Sequence, residues 1–147
     1  MQRAALNRTQ AAEWCTRATG YSVTSATVRY WEQVRLLKRQ LPGHRVPAQF
    51  GIGDLVRVRV LVELRREGVP LQRVRKALRS LDKVLPGIIA RRGIGRLAVT
   101  STGEVVRVKS DRDLLDLAKR PGQTGWLAML DVSSYVQEAR SALAEVV

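Results

Sequence analysis

Disulfides, zinc centres and catalytic triads all need side chains that this chain scarcely has. It holds one cysteine and one histidine in 147 residues, so no internal disulfide or zinc-finger ligand set can be assembled, and the fold must stand on packing alone. The lone His44 leaves no Ser-His-Asp or Cys-His arrangement. The Gly-Ile-Gly runs at 51–53 and 93–95 are too short to cradle a phosphate, so no catalysis, cofactor or metal is expected. Long apolar runs are missing too. No window approaches the ~18 consecutive apolar residues of a membrane span, and the start MQRAALNRTQ lacks a signal-peptide core, so a cytoplasmic, nucleoid-associated protein with no membrane partner is expected. Acidic residues are also scarce. Against 13 Asp plus Glu stand 26 Lys plus Arg, a formal charge of +13 and a pI near 11.3, and the partner implied is a polyanion.

The basic charge is unevenly placed. Residues 1–83 hold 17 basic and 6 acidic side chains, whereas 84–147 hold 9 and 7, so the polyanion-binding part is expected in the first segment. The basic residues there sit among Trp, Val and Leu at globular spacing, unlike a disordered polybasic tail that would bind anionic lipid.

Near the start, Asn7 with Gln10 forms an N-cap pair, Ala11, Ala12, Trp14, Cys15 and Ala18 follow at helical spacing, and Gly20 is the stop. Thr24 then caps a second helix beginning near Ser25, with Val23 placed to pack on Val28 as a hydrophobic staple. Val28 and Trp31 share an inward face. Ser25, Ala26, Arg29, Tyr30 and Gln33 are left for solvent or a ligand. Two short helices joined by a tight turn make a helix-turn-helix. Cys15 is expected to be a small buried residue.

Residues 35–53, with Arg35, Lys38, Arg39, His44 and Arg45, read as a basic loop or small hairpin. In the stretch that follows, Val-Arg-Val-Arg-Val alternates like a strand, yet Leu55, Val58, Leu61, Val62 and Leu64 also fit a helix capped by Asp54. Leu71, Val74, Ala77, Leu78 and Leu81 form a further helical stripe, and Arg57, Arg59, Arg65, Arg66, Arg73, Arg75, Lys76 and Arg79 are expected mostly on solvent faces. Pro86 and Gly87 mark a helix end and a boundary. Beyond it, residues 96–110 resemble a hairpin turning near Thr102 and Gly103. Ser110 and Asp113 suggest a capping box, GWLAML a third strand, and Asp131 or Ser133 the start of a last helix with Val136, Ala139 and Leu143 inward. The acidic trio Asp111, Asp113 and Asp116 reads as a complement to a helix N-terminus.

The order of Thr27–Glu32 (TVRYWE), Leu36–Leu37, a basic loop, Phe50–Leu55 (FGIGDL) and Leu64–Leu78 (LRREGVPLQRVRKAL) is similar to the winged helix-turn-helix of the MerR regulators. That family's pattern reads Thr-Leu-Arg-Tyr-Tyr-Glu, Gly-Leu-Leu, a wing, Tyr-x-x-x-Asp-Leu and Leu-Arg-x-x-Gly-x-x-Leu-x-x-Ile. The resemblance covers roughly residues 8–82 and favours the helical choice after Asp54. It implies double-stranded DNA as partner, with Arg29 on bases or phosphate, Tyr30 on the backbone, and a wing carrying Lys38, Arg39 and Arg45 along neighbouring phosphates or the minor groove; Thr24, Ser25 and Ala26 beside the helix and His44 in the loop complete the expected DNA-binding residues. Two positions depart from the pattern, Ala48 where the family has Arg and Phe50 where it has the wing Tyr. The sensor cysteines of some members are absent, and no small-molecule effector can be identified.

The expected architecture is therefore mainly α with a small α+β C-terminal unit: a MerR-like winged helix-turn-helix over 1–83, a linker over 84–95, and a β-hairpin/helix/strand/helix domain over 96–147 for dimerisation or partner binding. The expected function is sequence-specific transcriptional regulation by a homodimer on a palindromic operator. The alternative is an antitoxin-type protein that holds a toxin, or another partner such as RNA polymerase, through its C-terminal part and represses its own operon.

Overall fold

The computed structural model describes residues 5–38, 49–91, 95–100, 102–119 and 126–146. Six helices and three strands follow one another among them: α1 (Arg8–Thr19), α2 (Ser25–Gln33), α3 (Ile52–Arg66), α4 (Leu71–Arg91), β1 (Arg96–Thr100), β2 (Val105–Arg107), α5 (Asp111–Ala118), β3 (Trp126–Asp131) and α6 (Val132–Ala144). The protein is mostly helical with a small antiparallel sheet, in agreement with the expected fold class. It divides into two compact units, Met1–Val62 with Tyr135–Val147, and Glu63–Ser134. These limits differ from those expected at 83 and 96.

In the first unit α1 starts with a complete capping box. Asn7 Oδ1 accepts from Gln10 N at 2.8 Å and Gln10 Oε1 accepts from Asn7 N at 2.9 Å, so two backbone donors that no helical carbonyl reaches are satisfied. The helix ends where Gly20 turns left-handed at φ 73, a conformation that carries no Cβ penalty in glycine. Leu6 and Phe50 exchange backbone hydrogen bonds of 3.0 and 2.8 Å, and Phe50 is buried. The residue standing at the wing tyrosine's place is therefore a core residue.

The helical reading of the Val-Arg alternation holds, but α3 begins at Ile52, two residues before Asp54. Gly51 is the residue that leads in, and Asp54 acts from inside the first turn by accepting from Gly51 N at 3.0 Å. Leu55, Val56, Val58, Val60, Leu61, Val62 and Leu64 are all buried, and at 100° per residue they cover nearly the whole circumference. An alternating sequence is compatible with a helix only under such all-round burial.

In the second unit Val74, Ala77, Leu78, Leu81, Leu85 and Ile88 form the buried stripe of α4, while Leu71, expected in that stripe, is exposed. The expected helix end at Pro86 is overturned, since α4 runs 21 residues to Arg91 and residues 84–91 of the expected linker are helical. Proline removes one helical N–H and crowds the carbonyl of Asp82. Leu85 and Ile88 on either side are buried, at roughly 1.5–3 kcal/mol each, whereas Pro86 itself faces solvent. The apolar stripe outweighs the lost bond.

The sheet has the order β2-β1-β3, with both pairings antiparallel and β1 central. The hairpin turns where expected, at Thr102 and Gly103 (φ 84), closed by Gly103 N to Thr100 O at 2.9 Å and Thr100 N to Glu104 O at 2.8 Å. Asp113 accepts from Lys109 N and Ser110 N at 2.6 and 3.1 Å, which caps α5 and accounts for one of the three acidic residues structurally. Asp131 caps α6 through Ser134 N and the Ser133 hydroxyl. From Tyr135 onward α6 is part of the first unit, with Tyr135, Val136, Ala139 and Leu143 buried.

Candidate nucleic-acid interface

The geometry of α2 follows from its two ends. Thr24 Oγ1 accepts from Thr27 N at 3.2 Å and caps the start. The turn before it is tied by threonine hydroxyls. Thr16 Oγ1 accepts from Val23 N at 2.9 Å and lies within 3.0 Å of Val23 O, while Thr19 Oγ1 donates to Cys15 O at 2.7 Å and accepts from Tyr21 N at 3.0 Å. Backbone groups that a five-residue turn would leave to water are thereby paired, and the angle between α1 and α2 is set.

At the far end, Leu36 N bonds Trp31 O at 2.9 Å and Arg35 N bonds Glu32 O at 3.1 Å, the pair of bonds that defines a Schellman ending. The left-handed position is Arg35, at φ 63. The family pattern places glycine there, and an L side chain in that conformation costs about 1 kcal/mol.

Val28 and Trp31 are buried and form the inward face, as the spacing predicted. Glu32 is buried as well, and its carboxylate is gripped by Arg8 from the first turn of α1, with Nε at 2.6 Å and Nη2 at 3.0 Å. The hydrogen bond to Glu32, stronger than the opposing burial, raises the pKa of the Arg8 guanidinium above the ordinary arginine range. This two-pronged contact locks α2 onto α1. Glu32 thus turns inward to Arg8 and away from Arg29, three residues before it on the same helix.

Outward from this base, Thr24, Ser25, Ala26, Arg29, Tyr30 and Gln33 are exposed, with Tyr30 at 51%. Six of the nine residues expected at the DNA interface thus fall on the described chain. Thr24, Ser25, Ala26, Arg29 and Tyr30 share the open side of α2, and Lys38 is exposed beyond the helix end. Arg39, His44 and Arg45 lie outside the described residues.

Sequence reasoning missed the parts that hold the helix still: Arg8, Thr16, Thr19 and Glu32. It also missed Tyr21, 47% exposed in the turn beside α2. Its position directly after the helix-ending glycine was the available signal. Arg59, expected on a solvent face, is buried instead. Its guanidinium lies 4.5 Å from the Tyr135 ring centroid and is paired with Glu138, both on α6. Arg57 donates to Leu36 O at 3.1 Å. Cys15 is buried within α1.

Two capped helices, a hydroxyl-tied turn, an inward aromatic anchor and an outward face of short polar residues with one arginine and one tyrosine define a helix-turn-helix of the kind that enters a major groove. Residues 18–81 match the family model described as MerR HTH family regulatory protein, and this N-terminal region is similar to the helix-turn-helix of that family. No curated protein matches the chain. Among the described residues no helix is long and apolar enough to cross a membrane.

Proposed function

We propose that the protein is a sequence-specific regulator that lays α2 in the major groove of a palindromic operator and binds as a homodimer. The observation that carries this reading is the exposed face of Ser25, Ala26, Arg29 and Tyr30 on a helix whose opposite side is pinned by Val28, Trp31 and the Arg8–Glu32 contact. Arg29 donates two hydrogen bonds to a guanine edge or grips phosphate, Tyr30 donates to the backbone, and Ser25 and Ala26 are small enough for close approach. Lys38, Arg39, His44 and Arg45 supply flanking phosphate contacts. A single helix reads few base pairs, so two copies on two half-sites supply the remaining specificity. DNA reading is assigned to residues 1–83 and dimerisation or partner binding to 96–147, with the amendment that 135–147 pack in the unit that carries α2.

The test is selection of bound sites from a random DNA pool by the full chain, followed by titration of Arg29→Ala and Tyr30→Ala on the selected site. Selected sequences are expected to contain two inverted half-sites. Arg29→Ala is expected to weaken operator binding by about 1–3 kcal/mol, roughly 5- to 150-fold, and to relax one position of the consensus. Equal binding by parent and both variants would overturn the assignment.

A second reading is favoured by the sheet order, which leaves β2 and β3 as outer strands with Met129 exposed on β3. An outer strand can pair with a strand of another chain, and an antitoxin-type protein would hold its toxin this way while the helix-turn-helix represses the operon. Co-purification from the native cell distinguishes it: a stoichiometric small partner supports it, and operator binding by the chain alone with no such partner opposes it.

A further inference from the structure

Two strands bound the sheet, and their outer edges are unlike. β2 is three residues long and half-buried throughout, with α4 packed beside it and the hairpin turn lying on the stem of Lys76, whose Cβ would stand 3.4 Å from a Cβ added to Gly103. A short, covered edge resists pairing with another chain. β3 has six residues, and the run from Trp126 to Leu130 contains no charge and no proline. Charge and proline, the usual guards of an open edge, are thus missing from it.

The register shows which backbone groups of β3 stand open. Val132 N donates to Gly95 O at 2.9 Å, and with Leu97 opposite Leu130 and Val99 opposite Ala128, the residues of β3 that exchange hydrogen bonds with β1 are Ala128 and Leu130. The N–H and C=O of Met129 and Asp131 therefore point away from β1. Among the described residues no strand lies beyond them. A register shift between Val99 and Thr100 falls at the start of β3, so the stretch from Ala128 to Asp131 is regular. Ala98, Val106 and Met129 are cross-strand neighbours on one face, and of these three Met129 alone is exposed, at 38%.

We infer that the outer edge of β3 is a dimer surface: it pairs antiparallel with β3 of a second copy, Met129 opposite Met129, and joins the two three-stranded sheets into one continuous sheet. This inference rests on the homodimer reading proposed above and names its surface. Across a two-fold axis perpendicular to a sheet, residues opposite each other must have side chains on the same face and open backbone groups on the same edge, which Met129 against Met129 satisfies. Each Met129 N–H then donates to the other copy's Met129 C=O, and the two exposed side chains meet. The occupant is a second copy on grounds of charge and symmetry. A formal charge of +13 sets two copies against each other, whereas the run from Trp126 to Leu130 lets them meet without opposing like charges. A partner of another kind would leave two reading helices unrelated by symmetry, and the palindrome proposed above would go unmatched.

The experiment measures the mass of the full chain by sedimentation over a range of concentrations, free and on the selected operator. Compared are the parent, Met129→Pro, Met129→Lys, Met129→Glu and an equimolar mixture of the last two. Met129→Pro removes an N–H that β1 does not use, so the sheet is kept while both central bonds between copies are lost, and the dimer dissociation constant is expected to rise about 10- to 100-fold. Met129→Lys and Met129→Glu each set like charges opposite one another and are expected to raise it about 2- to 5-fold, with the mixture returning to the parent value or below. That rescue requires residue 129 to face itself across the interface. Should Met129→Pro lose its fold by circular dichroism, the charge variants and their mixture decide the matter. A two-copy parent alongside variants of unchanged dissociation constant overturns the β3 pairing and leaves the homodimer reading standing. A parent that is a single copy both free and on DNA overturns both. A one-to-one complex with a different protein, lost in Met129→Pro, overturns the second copy as occupant of this edge.

Discussion

The two compact units carry similar net charge, 11 basic against 5 acidic residues in the unit that contains α2 and 15 against 8 in the unit that contains α4, yet they place it in opposite ways. In the first, several arginines turn inward. Arg8 holds Glu32, Arg59 lies over Tyr135 and pairs with Glu138, and Arg57 bonds the Leu36 carbonyl. Among the described residues Arg17, Arg29, Arg35 and Lys38 stay exposed, and Arg29 is the one at the centre of the reading face. In the second, Arg73, Lys76, Arg79 and Lys83 of α4 stand in a row in solvent. The difference teaches that net charge alone does not locate a nucleic-acid surface. Buried arginine fixes geometry, which specificity needs, and exposed arginine and lysine supply attraction.

The largest effect that would sharpen this contrast is expected at Arg8. Arg8→Ala leaves the Glu32 carboxylate buried without its guanidinium, and is expected to lower the stability of the first unit by about 3 kcal/mol in denaturant titration. Operator affinity should fall with it although Arg8 faces no DNA. A drop smaller than that of an ordinary surface substitution would show that the α1–α2 geometry does not depend on this pair.

Next comes Pro86 in the other unit. Pro86→Ala restores a helical N–H at an exposed position of α4 and is expected to stabilise that unit by about 2 kcal/mol, with no change in operator sequence preference. Destabilisation there would mean that the proline ring makes contacts outweighing the missing hydrogen bond.

The smallest expected effect is at Arg35. Arg35→Gly relieves the left-handed strain at the end of α2 and is expected to raise stability by about 1 kcal/mol. Because the backbone bonds of Arg35 to Glu32 and of Leu36 to Trp31 are kept, operator affinity should change less than for Arg29→Ala. A loss of stability would show that the Arg35 side chain contributes more than its backbone conformation costs.

Where sequence reasoning succeeded, the signal lay within four or five residues. Asn7 with Gln10, Thr24 as cap, Gly20 as stop, the Thr102–Gly103 turn and the Asp113 cap are all contacts between near neighbours, so residue type at a spacing is enough to name them. Val28 and Trp31 inward with Arg29 and Tyr30 outward follow from the same helical period. Pro86 misled because a local penalty was set against a local pattern, whereas the decision came from Leu85 and Ile88 packing at a distance. Arg59 misled for a related reason. Nothing near it in sequence announces Tyr135 and Glu138, which arrive 76 and 79 residues later.

By itself the sequence determined the short-range caps and turns, the strong positive charge and the exposed face of α2, because each depends on hydrogen bonds within a turn, on summed charge or on helical period. Only the tertiary structure decided that Glu32 turns in to Arg8, that Arg59 is core while α4's cations are surface, that α4 continues past its proline, and that the last helix packs in the unit of the first. Each of these is a choice between burial and solvation. That choice is made by whatever surface arrives from elsewhere in the chain, which no local pattern encodes.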